Sequence, residues 1–516
     1  MSDKLKISIN GQETQVDPGT TVLEAANSLG IEIPTLCHMN LEGLDFVNQC
    51  ASCRVCVVEV EGRNNLAPSC VEKVTDGMVI KTNTPRAIRG RRTSVELLLS
   101  NHPQDCFTCP KNLDCELQAL AEKLNIREIP YDGKKMDYKK DKSSFSIVKD
   151  PNKCIMCRRC ETMCNEVQTC GILSGIDRGF DVVVGPTFNL DMKDTACTYC
   201  GQCVAVCPTA ALTETNKTSK VWDALADPEK HVIIQTAPAI RAAIGEEFGM
   251  EPGTLVTGKM VSALKNLGFD GVFDTDFAAD LTIMEEASEL VHRIENDGTL
   301  PILTSCCPAW VKFIEHNYPE LLDIPSSAKS PHIMFGAIAK TYYAEKHDID
   351  PDNLVTVSLM PCVAKKAEAH RPELTNDEES NVDLVITTRE ASHMIKEAGL
   401  NLANMQDDDF DKMMGESSGA GVIFGTTGGV IEAATRTAYE WITGDELEDV
   451  NFTDLRGMDG IRSAEVEIGD LTLNIGIAHG LGNARKLLEC IKAGECEFHA
   501  IEIMACPGGC IGGGGQ

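Results

Sequence analysis

A chain of 516 residues is too long for a single hydrophobic core and divides into roughly three to five domains. Its 78 acidic against 47 basic side chains give a net charge of −31, a surface that repels phosphate backbones and anionic bilayers. Nucleic acid and membrane surfaces are therefore excluded as natural partners, and no run of apolar residues is long enough for a membrane span.

The 24 cysteines decide the chemical class. They sit mostly in short clusters within a long chain. Met1 leads into an alternating strand, Leu5–Ile9, with no apolar leader segment. A cytoplasmic location with reduced thiols is expected, and clustered thiols there bind metal. A helix over Thr21–Ser28 follows, then a loop with Cys37, Cys50, Cys53, Cys56 and Cys70, then a strand from Val57 to Glu61. Two Cys-x2-Cys pairs are possible. Cys53-Arg-Val-Cys56-Val-Val-Glu-Val resembles the plant-type [2Fe–2S] domains of complex-I-like enzymes. That resemblance implies a β-grasp ferredoxin domain over 1–80, with ligands Cys37, Cys53, Cys56 and Cys70, and Cys50 as a bystander.

A helix-rich stretch, 81–140, carries His102, Cys106, Cys109 and Cys115. One imidazole and three thiolates at this spacing suit zinc as well as a cluster. Resemblance to the His-ligated domain that follows plant-type ferredoxin domains in hydrogenases and complex I favours [4Fe–4S].

An internal repeat comes next, in 141–215. Cys154, Cys157, Cys160 and Cys164 recur as Cys197, Cys200, Cys203 and Cys207-Pro208. This matches the bacterial two-cluster ferredoxin, in which the fourth cysteine of each run serves the other cluster. One [4Fe–4S] cluster is expected on Cys154, Cys157, Cys160 and Cys207, the other on Cys197, Cys200, Cys203 and Cys164. Cys170 is left over.

From residue 222 to 516, short apolar runs alternate with helical patterns: His231–Gln235, Leu354–Met360, Val382–Ile386, Leu473–Ile477 and Phe498–Ile503. An α/β domain with mostly parallel sheets is expected. Two of these strands run into cysteine loops at Met360-Pro-Cys362 and Met504-Ala-Cys506, where parallel sheets place ligand sites. The separated motifs Thr304-Ser-Cys306-Cys307-Pro-Ala-Trp310, Met360-Pro-Cys362-Val-Ala-Lys365 and Ala505-Cys506-Pro-Gly-Gly-Cys510 do not suit a zinc finger. They suit a buried cluster where strand ends converge, with the glycines after Cys510 letting backbone approach a bulky inorganic group.

These motifs, in this domain order, resemble the [FeFe]-hydrogenases, above all the catalytic subunit of multisubunit NAD(P)-linked enzymes, some of them electron-bifurcating. The resemblance implies reversible H2 oxidation and proton reduction. It implies an H-cluster: a [4Fe–4S] part on Cys307, Cys362, Cys506 and Cys510, and a diiron subsite with CO, cyanide and dithiolate ligands. Cys306 becomes the proton donor and acceptor, and Lys365 pairs with a cyanide, while Lys366 is read as a surface lysine. Pro238, Pro331, Met360, Phe424 and Met504 line the pocket. On the helix from Leu281 to Asn296, Glu286, Glu289 and Arg293 share a face; alone, that pattern reads as a solvated face with an i,i+4 pair. The resemblance turns it into a relay from Cys306 through Glu286, Ser326 and Glu289.

Some positions depart from the family. Ala309 replaces a frequent Gly, and Ala239 and His332 stand where some relatives carry Ser and Gln. Relatives usually continue beyond the third motif, so either the sequence is truncated at Gln516 or another chain covers this edge. Cys490 and Cys496 read as structural or surface thiols. No Gly-x-Gly-x-x-Gly lies between a strand and a helix, since Gly419 to Gly425 has the wrong spacing. Nicotinamide and flavin would then belong to partner subunits, with ferredoxin as the other candidate acceptor and the [2Fe–2S] domain as docking point. The rival readings are a sensory relative, an iron–sulfur assembly scaffold and a complex-I-type subunit.

Overall fold

The computed structural model describes residues 4–41, 46–48, 51–376, 379–444, 457–468 and 471–516; Cys50 lies outside them. The N-terminal unit is a five-stranded sheet of β1 (Leu5–Ile9), β2 (Gln12–Val16), β3 (Val57–Val60), β4 (Ala67–Pro68) and β5 (Val79–Lys81), in the order β2-β1-β5-β3-β4. α1 (Val22–Ser28) packs on it. Thr21 caps α1 through a capping box: its side chain accepts from the Glu24 N–H, and Glu24 accepts from the Thr21 N–H at 2.7 Å.

α2 (Pro85–Asn101) opens with Thr84 as N-cap and proline in the first turn, and ends at His102. α3 (Glu116–Lys123) starts directly after Cys115. Helix ends thus deliver two of the four ligands expected in this unit. Its contact with the repeat domain is partly apolar, Leu117 and Leu120 sharing a buried cluster with Ile155 and Cys157, and partly polar: the Glu116 N–H donates to the Pro208 carbonyl at 3.1 Å, and Arg159 grips the Glu116 carboxylate at 2.6 and 2.9 Å.

The repeat domain pairs β6 (Ile147–Lys149) with β9 (Leu212–Glu214), and β7 (Ser174–Ile176) with β8 (Val183–Gly185), both antiparallel. The sequence repeat is also a backbone repeat. Met156 and Arg158 follow Cys154 with positive φ, as Tyr199 and Gly201 follow Cys197. Each loop thereby curls around its first thiol, and the Met156 and Tyr199 N–H groups point at the Cys154 and Cys197 sulfurs at 3.5 and 3.4 Å.

Among the described residues the C-terminal half holds two four-stranded sheets. One is wholly parallel, β11-β10-β13-β14, from β10 (His231–Thr236), β11 (Gly271–Asp274), β13 (Leu354–Met360) and β14 (Leu384–Thr387). The other runs β12-β17-β16-β15, from β12 (Ile302–Leu303), β15 (Ile461–Ile468), β16 (Leu471–His479) and β17 (Ala500–Met504); only its β15–β16 pair is antiparallel. The expected apolar runs all appear as strands. Gly271–Asp274, Ile302–Leu303 and Ile461–Ile468 were not foreseen: the first two are very short, and the third alternates charged with apolar residues. α4 (Asp276–Glu295), α5 (Pro308–Asn317), α6 (Pro331–Ile338), α7 (Lys365–Glu368), α8 (Thr388–Glu397), α9 (Gly429–Thr443) and α10 (Leu481–Ala493) complete the frame used below. No helix among the described residues is long and apolar enough to cross a membrane.

Lys366 corrects the reading of a surface lysine. It is 2% exposed and pairs with Glu390 at 2.6 Å while donating to the Val385 carbonyl at 2.8 Å. Glu390 is also the capping-box residue of α8, so the pair ties α7 to the start of that helix.

Candidate active site

The three cysteine motifs meet between the two sheets. β13 ends at Met360 and turns through Pro361 into Cys362; β17 ends at Met504 and turns into Cys506. Cys307 is the residue before α5, whose first turn opens on Pro308. That turn is pinned by Trp310, which donates to the Thr304 carbonyl at 3.0 Å, and the Ala505 N–H points at the Cys307 sulfur at 3.5 Å. Gly509 has φ +97°, and a Cβ there would lie 2.5 Å from the Thr427 nitrogen, so only glycine lets the third motif fold back to Cys510.

Together they enclose an empty volume of about 750 Å³. Cys306, Cys307, Cys362, Cys506 and Cys510 line it, with Lys365 and the apolar Pro238, Pro331, Met360, Phe424 and Met504. Ala239 and His332, where departures from the family were noted, also lie on this wall with Ala505 of the third motif, as do Thr275 and Val430, which no motif had marked. Five converging thiols, one cation and a largely apolar lining fit a buried anionic iron cluster, which takes four of the thiols as ligands. The glycines after Cys510 also serve a second close approach, while Gly513 lines the cavity. A Cβ at Gly513 or Gly515 would meet the Pro361 carbonyl, and one at Gly514 would meet Gly201, so they admit backbone against backbone.

Cys306 is partly buried, packed against the side of α4 that carries Ala279 and Ile283. Burial pushes its thiol well above the ordinary range, the Glu286 carboxylate adds to this, and Lys365 opposes it. Glu286 is buried. Its Oε1 accepts from the Ser305 N–H at 3.2 Å, and its Oε2 has no partner. Burial lifts its carboxyl to about 8 against the Ser305 hydrogen bond, with Glu289 and Glu502 adding repulsion. Glu289, one turn on, accepts from Ser326 Oγ at 3.0 Å, from the Ser327 N–H at 2.9 Å and from Arg293 at 2.5 Å. Burial raises its carboxyl, but these donors outweigh burial and hold it below the usual range. α4 therefore carries the i,i+4 pair read from its sequence at its outer end and, one turn before it, a buried acid close enough to Cys306 to act on its thiol.

Lys365 donates to Glu368 at 2.7 Å and to the Cys306 carbonyl at 3.0 Å. Burial works against its charge, and Glu368 more than offsets that. Glu368 was missed, although its i+3 spacing from Lys365 on one helical turn was the available signal.

The accessory cysteines also gather. Cys154, Cys157, Cys160 and Cys207 line one cavity of about 420 Å³, and Cys164, Cys197, Cys200 and Cys203 line another of about 350 Å³, with Cys170 on its wall. In the N-terminal unit the Cys37 and Cys53 thiols meet, as do those of Cys56 and Cys70. His102 is partly buried, with its Nδ1 buried and unpartnered, and Lys153 reaches both Cys109 and Asp105. The Cys115 thiol donates to the Pro208 carbonyl at 3.6 Å. Cys490 and Cys496 lie beside each other, partly exposed.

The repeat domain is seated on the active site by hydrogen bonds. Gln168 donates to the Ala505 carbonyl at 2.9 Å and accepts from the Leu481 N–H, and Gln202 donates to the Gly512 carbonyl at 2.8 Å. Cys200 stands close enough to Cys307 and Cys506 for their charges to interact.

Residues 230–514 match the family described as the iron only hydrogenase large subunit, C-terminal domain. The chain belongs to the iron-only hydrogenases. Residues 2–85 of this hydrogenase match a 2Fe-2S iron-sulfur cluster binding domain, 91–130 the NADH-ubiquinone oxidoreductase-G iron-sulfur binding region, and 194–213 a 4Fe-4S binding domain. It is 60% identical to the NADP-reducing hydrogenase subunit HndD of Solidesulfovibrio fructosivorans, over 99% of this chain and 88% of that one. It is 43% identical to iron hydrogenase 1 of Clostridium pasteurianum, again over 99% and 88%. A solved [FeFe]-hydrogenase from Chlamydomonas reinhardtii superposes with a TM-score of 0.53 at 43% identity, over 58% of this chain and 85% of that one. The hydrogenase is an iron–sulfur oxidoreductase, and its mixed α/β frame carries 2Fe-2S and 4Fe-4S domains ahead of the H-cluster domain.

Proposed function

We propose that this hydrogenase oxidises H2 and reduces protons reversibly at an H-cluster held by Cys307, Cys362, Cys506 and Cys510. The observation that carries the reading is the meeting of these four thiols with Cys306 and Lys365 on one largely apolar cavity. When bound, the cluster supplies the open iron site at which H2 is split or formed. Cys306 Sγ takes and returns the proton there, and Glu286 receives it through the unpartnered Oε2. Ser326 and Glu289 continue the path toward Arg293 at the outer end of α4. A sensor or assembly scaffold needs neither Cys306 nor a buried acid close to it.

Domain limits of 1–80, 81–140, 141–215 and 222–516 fit these roles. The first unit takes the β-grasp form with one [2Fe–2S] cluster, and three accessory [4Fe–4S] clusters occupy the His102 set and the two cavities of the repeat domain. Electrons leave by Cys200, beside Cys307. They do not pass in single file beyond that domain: Cys115 abuts Pro208, while Cys37 and Cys53 share a buried cluster of side chains with Cys157. The acceptor is ferredoxin, an NAD(P)-linked flavoprotein subunit, or both in one complex, as the names of the 60%-identical relative and of the 91–130 region suggest.

Isotope exchange tests the reaction without any acceptor. Matured protein under H2 in D2O should release HD and D2. No exchange by protein loaded with its iron would sink the reading.

A further inference from the structure

We propose that His332 is a positioning residue: it fixes Lys365 through a shared oxygen of Glu368, and it leaves its stretch of cavity wall without a hydrogen-bond donor. This rests on the H-cluster reading above and goes beyond it, since some relatives place a glutamine here.

His332 lies in the first turn of α6, 1% exposed. Its Nε2 is 2.7 Å from Glu368 Oε2, and the same oxygen is 2.7 Å from Lys365 Nζ. Its Nδ1 is 3.3 Å from Ser358 Oγ. Ser358 Oγ already accepts from Gln235 Nε2 at 2.8 Å. Gln235 also donates to the His332 carbonyl at 2.9 Å and accepts from Thr275 at 3.0 Å. The hydroxyl proton of Ser358 is therefore available to Nδ1. A carboxylate only accepts, so the proton of the ring must sit on Nε2. In that neutral tautomer Nδ1 accepts from Ser358, and Nε2 lies against Glu368 Oε2 as a close polar contact whose angle falls short of a hydrogen bond.

Two consequences follow. Both ring nitrogens stand against polar side chains, Nε2 against Glu368 and Nδ1 against Ser358, so the ring meets the cavity with carbon and C–H. A glutamine could instead turn its NH2 toward a bound cyanide or CO. Second, Glu368 Oε2 is held from two sides. Lys365 spends two of its three protons on Glu368 and the Cys306 carbonyl, which directs the third at the cavity. Glu368 also borders a cleft between the repeat and catalytic domains. Burial would raise its carboxyl, but Lys365 and His332 hold it well below the usual range, which disfavours its taking a proton from that cleft.

The test has two arms. In apoprotein, ¹⁵N spectra of the histidine rings should show His332 with Nε2–H and a bare Nδ1 at neutral pH. In matured protein, His332→Gln should shift the cyanide stretching bands in the infrared. Glu368→Gln should shift them in the same sense, and the double variant should shift them no further than the larger single change. An Nδ1–H or doubly protonated ring would overturn the proposal, as would unmoved bands in His332→Gln or purely additive shifts. Absence of CO and cyanide bands in the matured unsubstituted protein would instead overturn the H-cluster reading.

Discussion

Glu286 offers one carboxylate oxygen to the Ser305 N–H at 3.2 Å and keeps the other buried without a partner, and its carboxylate is close enough to Cys306 to raise that thiol. A buried acid with an idle oxygen is costly unless it trades protons with a neighbour. Glu286→Gln keeps the shape and removes the exchangeable proton. Turnover should fall about 10²–10⁴-fold with iron content unchanged. Steady-state H2 uptake checks this against a metal assay on the same sample.

Cys306 is separated from the four thiols it adjoins by the role given to it. Cys306→Ser should retain the paramagnetic signals of every cluster and lose most turnover. Loss of signals along with activity would make Cys306 a ligand instead.

Gly201 has φ +75°, and a Cβ there would stand 2.8 Å from Val363 and 3.2 Å from the Gly514 Cα. Gly201→Ala should pull the repeat domain away from the third motif. The expected outcome is a destabilisation of about 1–3 kcal/mol. Thermal unfolding of the apoprotein measures it.

Glu368 titrates at about 2 in the folded chain, because Lys365 and His332 outweigh the burial that would raise it. Unfolded, it titrates near 4.3. Its contribution is complete above the unfolded value and is lost as pH falls from there toward 2, about 3 kcal/mol in all. Denaturant midpoints of the apoprotein between pH 6 and 3 should fall more steeply for the unsubstituted chain than for Glu368→Gln.

Lys366 is buried against Glu390, so Lys366→Ala should cost about 3–5 kcal/mol by stranding the carboxylate. Lys365→Ala should instead disturb the active site. Adjacent lysines thus separate fold from function, and comparing unfolding free energies with activity in the two variants would show it.

Much of the site was legible because its chemistry is local in sequence. The doubled Cys-x2-Cys-x2-Cys-x3-Cys register led to both four-cysteine cavities, and the strand-to-cysteine junctions at Cys362 and Cys506 led to the active-site cavity. What stayed hidden depends on pairs far apart in the chain. Lys366 reads like any surface lysine until Glu390 is brought over it. Gln168 and Gln202 gain meaning only against Ala505 and Gly512, more than 300 residues away. His332 alone signals nothing without Ser358 and Glu368. The helix of Glu286 was ambiguous for the same reason, since periodicity shows which residues share a face but not what that face meets.

The central claim is that this cavity splits H2. The most direct measurement is H2-driven reduction of a viologen dye by matured, anaerobically purified protein. The account predicts steady dye reduction that nearly vanishes in Cys306→Ser. No reduction by protein with a full complement of iron and infrared bands for CO and cyanide would contradict it.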